Sequence, residues 1–243
     1  GPMVAQTSYK CPAWKELNPT ICYLDKSWRA EGDDTLKFIL DNIATGKGRT
    51  PENIEALSSI AVTKDVEASN ASILMTTNRD VDAHNARQQS FNNGRQVTYS
   101  AIYDSPQAEN YAKALGIPDE LVLKDGDRVM ITQNIDPSSE APEARIIDME
   151  SGNVANFPIC NGMIGTFVAG NRPKVIYEKD GKHYLIQFLD RHAYAQTEVR
   201  PVSTGQGRVP MDVPILTVLQ YPIKLAYAIS VHKSQGQTLD HIL

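Results

Sequence analysis

The chain has 243 residues, with 24 lysines and arginines against 29 aspartates and glutamates, a formal net charge of −5, 41% hydrophobic and 22% charged residues. That composition builds a packed core and excludes a collagen-like, coiled-coil or disordered acidic chain. No stretch approaches the roughly 20 apolar residues of a membrane-crossing helix, and the acidic balance leaves nucleic-acid binding to a local cluster rather than a bulk basic field.

The cysteines, Cys11, Cys22 and Cys160, are odd in number, widely spaced and without a C-x-x-C pair. This argues against a disulfide framework and a zinc knuckle, and for reduced thiols in an intracellular protein with no metal site. Gly1-Pro2-Met3 reads as a protease-cleavage scar before an initiator Met, with no part in the fold.

In chain order, the first predicted element is a helix from Asp33 to Gly46, with Leu36, Ile39, Leu40 and Ile43 as one apolar stripe. Asp33 and Asp34 suit its start and Gly46 its end. A second helix opens at Thr50 with Pro51 at its first position, burying Ile54, Leu57 and Ile60 or Ala61. Ser72 to Thr76 reads as a buried strand running into Thr77-Asn78, with a polar helix from about Asp80. Ligands of α/β units gather beyond the carboxyl ends of strands, so Thr77 and Asn78 hold a contact position; taken alone, they read equally as helix caps.

After about residue 120 short strands dominate: 127–133, 163–169, 174–179 and 183–189, with Asp180-Gly181 as a hairpin turn. These suggest a small antiparallel barrel. Residues 136–158 read as a long loop and 203–214 as a linker. Ile215 to Tyr221 is a β-rich run. Leu225, Ala228, Ile229 and His232 then fall at helical spacing, so α/β character lies on both sides of the barrel. The expected organisation is an α/β lobe over 4–120 and 203–243, with the barrel over 121–202 inserted in it.

The chemistry concentrates in AYAISVHKSQGQTLD, residues 226–240. Ser230, His232, Lys233, Ser234, Gln235 and Thr238 supply donors suited to phosphate oxygens, and Lys233 a charge-assisted contact. From composition alone this is equally a solvated helix face.

The run YPIKLAYAISVHKSQGQTLD resembles a motif of superfamily 1 DNA helicases of the Pif/RecD type. So do SILMTTNRDVDAHN (72–85), LKDGDRVMITQNI (123–135) followed by NGMIGTF (161–167), and YLDKSWRAEGDDTLKFILDNIATG (23–46). The resemblance covers most of residues 20–243. It implies a RecA-like second helicase lobe with a parallel sheet and an inserted Src-homology-like barrel. The chain would then be the C-terminal part of an ATP-dependent helicase that translocates on single-stranded DNA and unwinds duplex, serving replication, repair and recombination. Arg29 would be the arginine reaching the γ-phosphate, Gln235 and Gly236 would line the nucleotide cleft, and Thr77, Asn78, His232 and Lys233 would grip the strand. Implied partners are single-stranded DNA and an N-terminal motor lobe of the same parent. The implied compartment is cytoplasmic in a bacterium or phage, nuclear or mitochondrial in a eukaryote.

Within the sequence there is no G-x-x-x-x-G-K-[ST] phosphate loop. Gly46-Lys47 is followed by Gly48, and Asp41 stands where the first glycine would be needed. No apolar strand ends in Asp-Glu, and the chain stops before the family's closing block. ATP and magnesium are therefore expected in the intact parent and not in this piece, which should lack ATPase activity. The alternative is a non-catalytic nucleic-acid- or protein-binding module built on a helicase-derived fold. A hydrolase is disfavoured because His84, His183, His192, His232 and His241 are scattered with no nucleophile elbow.

Overall fold

A computed structural model describes residues 10–22, 34–60, 73–204 and 207–234. The chain forms two compact units, residues 1–66 and 67–243.

In the first unit, α1 (Pro12–Leu17) starts on a proline and stops at Asn18, whose φ of 41° is left-handed. The predicted pair of helices follows as α2 (Asp34–Ala44) and α3 (Pro51–Ile60), with Gly46 at φ 79° ending the first. Their apolar stripes do not bury as expected. Ile39 is 2% exposed, but Leu40, Ile43, Ile54, Leu57 and Ile60 remain exposed. Two short helices cover only the strip between them. That strip is held by a polar residue, the fully buried Asn53. Its Nδ2 donates to the Gly48 carbonyl at 3.0 Å and its Oδ1 accepts from Asn42 Nδ2 at 3.3 Å.

The second unit runs β1 (Ile73–Met75), α4 (Asn78–Phe91), β2 (Gln96–Ser100), β3 (Ile102–Tyr103), α5 (Pro106–Leu115), β4 (Glu120–Lys124) and β5 (Arg128–Ile131). It continues with β6 (Ala144–Asp148), β7 (Val154–Ala155), β8 (Ile164–Val168), β9 (Lys174–Lys179) and β10 (Lys182–Phe188). It closes with β11 (His192–Thr204), β12 (Gly207–Gln220), β13 (Ile223–Leu225), β14 (Ala228–Ser230) and α6 (Val231–Ser234).

The largest sheet has seven strands in the order β13-β5-β8-β9-β10-β6-β7, and all its pairings are antiparallel. Alternate residues point to one face, and Val129, Ile146, Phe167, Val175, Ile186 and Phe188 form its core. The β9–β10 turn has Asp180 at φ 52° and Gly181 at φ 73°, the pair of left-handed residues that the Asp-Gly signal predicts. Smaller sheets pair β2 with β4 and β11 with β12 and β3, again antiparallel. Parallel pairing among the described residues is confined to β1 and β14, in the register Ile73↔Ala228, Leu74↔Ile229, Met75↔Ser230. The α/β class is therefore present, with mostly antiparallel pairing among the described strands.

Three local expectations are corrected. The loop 136–158 contains β6 and β7; they are short, and their partners lie in β10, about forty residues on, and in each other. The described residues of the linker 203–214 belong to the arms of the β11–β12 pair, which runs from His192↔Gln220 out to Thr204↔Gly207. Its prolines sit in a two-stranded ribbon where many outward N–H groups need no partner. Within the described residues, the helical reading of the segment from Leu225 gives way to the end of β13, β14 and one turn of helix to Ser234. Ala226, Ala228, Ile229 and Ser230 are all buried, and a segment covered on both faces carries no diagnostic period. The seven-stranded sheet also takes β13 from the segment assigned to the returning lobe. No described helix is long and apolar enough to cross a membrane.

Candidate nucleic-acid interface

Strands β1 and β14 are parallel neighbours, so their carboxyl ends emerge side by side. After β1 the chain turns through Thr76 and Thr77 into α4, and after β14 it turns directly into α6. Between the two exits lies an open cleft of about 450 Å³ lined by Thr76, Asn78, Ser230, His232 and Lys233. Crevices at carboxyl ends of parallel strands are where α/β sheets hold ligands.

One side of the cleft, at Asn78, is the start of helix α4, which is pinned at three levels. At its start Thr77 is the N-cap, its Oγ1 accepting from Asp80 N at 3.1 Å and its hydroxyl donating to Asp80 Oδ2 at 2.7 Å. That satisfies one of the donors a helix leaves open at its first turn. In the middle, the buried Asn85 behaves as a strand edge. Its Oδ1 accepts from Ala228 N at 2.7 Å, and its Nδ2 donates to the carbonyls of Ala228 at 3.1 Å and Leu225 at 3.4 Å. At its end, Lys124 Nζ donates to the carbonyls of Gln89 at 3.1 Å and Asn92 at 2.8 Å, placing a cation at the negative pole.

The same end carries a fully buried carboxylate, Asp127. Its Oδ2 accepts from Gln89 Nε2 at 2.5 Å and Lys124 N at 2.7 Å, and its Oδ1 from Asn92 Nδ2 at 2.7 Å and the Tyr227 hydroxyl at 2.9 Å. Four donors compensate the lost water. Burial, and then the hydrogen bond and charge of Asp127, push the Tyr227 phenol up to about 12. Helix α4, the β4–β5 turn and the segment before β14 thus converge on one carboxylate.

The cleft's polar groups are hydroxyls, an amide, an imidazole and an ammonium. His232 and Lys233 are exposed, while Ser230 is buried at the strand end. Ser234 Oγ closes α6 on the Val231 carbonyl at 2.8 Å. Nearby, the half-buried Lys224 has its ammonium pushed below its ordinary range by burial, then by the charge of Lys233, with Asp82 opposing. This set can hold a polyanion by hydrogen bonds and charge. No group of three or more His, Cys, Asp or Glu side chains that could hold a metal ion occurs among the described residues.

Of the residues singled out from the sequence, Asn78, Ser230, His232 and Lys233 line this one cleft. Thr77 lies beside it as the cap of α4, which is the alternative its position allowed. Arg29, Gln235 and Gly236 lie outside the described residues. Thr76, Asn85 and Lys224 were not anticipated. A buried asparagine seven residues into a polar helix carries no signal until its partner Ala228 is known.

No family model matches the chain. The ATP-dependent DNA helicase Pif1 of Psychrobacter sp. (strain PRwf-1) is 27% identical over 96% of this chain and 39% of its own length. Among solved structures, Pif1 from Bacteroides sp in complex with ADP-AlF4 has a TM-score of 0.60 at 23% identity, covering 89% of this chain and 44% of that one. Pif1 helicase from Candida albicans has a TM-score of 0.59 at 20% identity, covering 97% and 52%. The chain spans about two fifths of the length of the Psychrobacter relative.

Proposed function

We propose that this chain, similar along nearly all its length to Pif1-type helicases, is the strand-holding part of an ATP-driven DNA helicase. The observation that carries the proposal is the convergence of Asn78, His232 and Lys233, from segments some 150 residues apart, on one cleft at the carboxyl ends of paired parallel strands. Hydroxyl and amide donors position a phosphodiester backbone without reading its bases, and Lys233 neutralises a phosphate. In this reading β1 and β14 are neighbouring strands of a RecA-like sheet, and the seven-stranded sheet is the inserted small barrel. The parent would take ATP with magnesium, whose hydrolysis supplies the free energy for movement. Gln235 and Gly236 would line the nucleotide cleft, and Arg29 would stabilise charge spreading on the transferred phosphoryl group. The sequence contains no phosphate loop, and the proposal assigns that part to a first motor lobe in the parent.

The test is fluorescence anisotropy of the chain with a labelled oligothymidylate across a salt series. The chain should bind at low salt, and Lys233→Gln should weaken binding and reduce the salt slope by about 0.7, the value of one single-strand phosphate contact. A folded sample that binds no oligonucleotide at low salt would remove the strand-holding assignment and favour the second reading, a protein-binding module, which the net charge of −5 suits.

A further inference from the structure

Ser230 differs in depth from the other polar groups of the cleft. Thr76, Asn78, His232 and Lys233 are exposed on its rim, whereas Ser230 is 4% exposed and lines the same space from the end of β14. It stands directly before α6, where a serine ordinarily caps a helix. Yet its hydroxyl has no hydrogen-bond partner among the described residues. Neighbouring elements hold it in place. Strand β14 pairs with β1, which puts Ser230 beside Met75 and next to Thr76 on the adjoining exit. From the side of α4, the Asn85 carboxamide accepts from Ala228 N at 2.7 Å and donates to the Ala228 carbonyl at 3.1 Å, two residues before Ser230.

A mostly buried hydroxyl without a partner in its own chain calls for one from outside. A phosphate oxygen is a strong candidate, because hydrogen bonds to ionised acceptors are shorter and stronger than neutral ones. The strand end that carries Ser230 is already ordered by Asn85 and β1, so little conformational freedom is lost in making the contact. The hydroxyl is also neutral. Its contact releases no counterion and adds affinity that salt does not screen, the opposite of what an ammonium such as Lys233 contributes.

We infer that Ser230 is an uncharged contact of the strand-holding site, its hydroxyl donating from the cleft floor to a phosphate oxygen of the single strand while Lys233 neutralises charge at the rim. The inference rests on the strand-holding reading and divides its binding between two groups. Lys233 carries a salt-dependent part and Ser230 a salt-independent part.

The experiment compares the chain with its Ser230→Ala, Ser230→Cys and Lys233→Gln variants, using labelled oligothymidylate and a salt series, with thermal midpoints measured on the same samples. Ser230→Ala should bind about tenfold more weakly at every salt concentration, the loss expected for one hydrogen bond to a charged group. It should keep the parent's salt slope, whereas Lys233→Gln loses about 0.7 of it. Ser230→Cys keeps the size of the side chain but donates weakly, and should behave as Ser230→Ala does. Neither serine variant should have a lower thermal midpoint, because no hydrogen bond within the chain is removed. If the parent binds and Ser230→Ala keeps its affinity, the inference fails while the strand-holding reading stands. Parent-like affinity in Ser230→Cys would show that volume and not the hydroxyl matters, and also overturns it. Lost affinity with a lowered midpoint assigns Ser230 to capping α6, and a smaller salt slope in Ser230→Ala assigns it to placing Lys233; either result overturns the contact. If the parent binds no oligonucleotide, it is the underlying reading that fails. A competing source of phosphate is nucleotide: displacement of the oligonucleotide by magnesium-ATP from the parent but not from Ser230→Ala would reassign the hydroxyl to nucleotide and overturn the strand contact.

Discussion

Asp127 has no exposed surface, yet it sits among neutral partners and one backbone amide. Its oxygens are a meeting point for groups up to 100 residues away from it in the chain. Tyr227 registers this in its titration. The phenol's ordinary value of 10.0 is raised to about 12 in the fold, so the folded state keeps a proton that the unfolded state releases. Stability from this group is complete below about pH 10 and is lost as the pH climbs from about 10 toward 12. Tyr99, Tyr194 and Tyr221 are raised as well, each mainly by burial, and add to the same alkaline limb. Tyr227→Phe should flatten part of that limb in denaturant titrations between pH 9 and 11.5, by about 1 kcal/mol at its upper end. A limb identical in the two proteins would show that the Asp127 contact does not persist in solution. The run LKDGDRVMITQNI was visible in the sequence as a motif, but the role of Asp127 within it was not, because three of its four donors are supplied by residues of other elements.

Short strands are stabilised by approach distances that single residues decide. Gly165 of β8 faces β9 so closely that a Cβ there would lie 2.3 Å from the Ile176 carbonyl oxygen and 2.6 Å from Val175 Cγ1. The backbone oxygen cannot turn aside, so the strands must separate. Gly165→Ala should cost about 2 kcal/mol or more in urea unfolding, as overpacking in a filled core does. The same change at Gly152, where an added Cβ meets nothing within 4 Å, should cost less, although its φ of 72° still favours glycine. An equal loss at both would mean that backbone conformation, not strand approach, sets the effect. Asn-Gly-x-x-Gly was legible as a turn followed by a strand; that its second glycine serves a close approach depends on β9, which follows it in sequence but whose register is a tertiary matter. Thr77-Asn78 was legible for the opposite reason, since strand, cap and helix are contiguous there.

At the scale of the molecule, a chain of net charge −5 places its proposed DNA contact at a cleft whose cationic side chain is Lys233, beside His232. Long-range attraction to DNA should then be weak and binding should depend on contact geometry, with a salt slope of only about 0.7 for each phosphate contacted. The same scale governs catalysis. With no phosphate loop in its sequence, the 243-residue chain should turn over ATP at background rates even with single-stranded DNA present. DNA-stimulated turnover that disappears in Arg29→Ala would overturn the division of labour proposed between this part and a first lobe. In a parent carrying both, Arg29→Ala should abolish turnover while leaving strand binding largely intact.

The contiguous signals settled a helix start near Asp33 and Asp34, another at Pro51, the strand-to-helix turn at Thr77 and the Asp180-Gly181 hairpin. Each rests on dihedral preference or capping within a few residues, which the chain carries wherever it goes. Tertiary structure alone decided that 225–230 is extended rather than helical, that 203–214 is ribbon rather than linker, and that 136–158 contains two strands. It also decided that Asn85 holds Ala228. In every one of those cases the deciding partner lies across a strand pairing or in a distant element, and hydrogen bonding and burial against that partner outweigh the weak local preference.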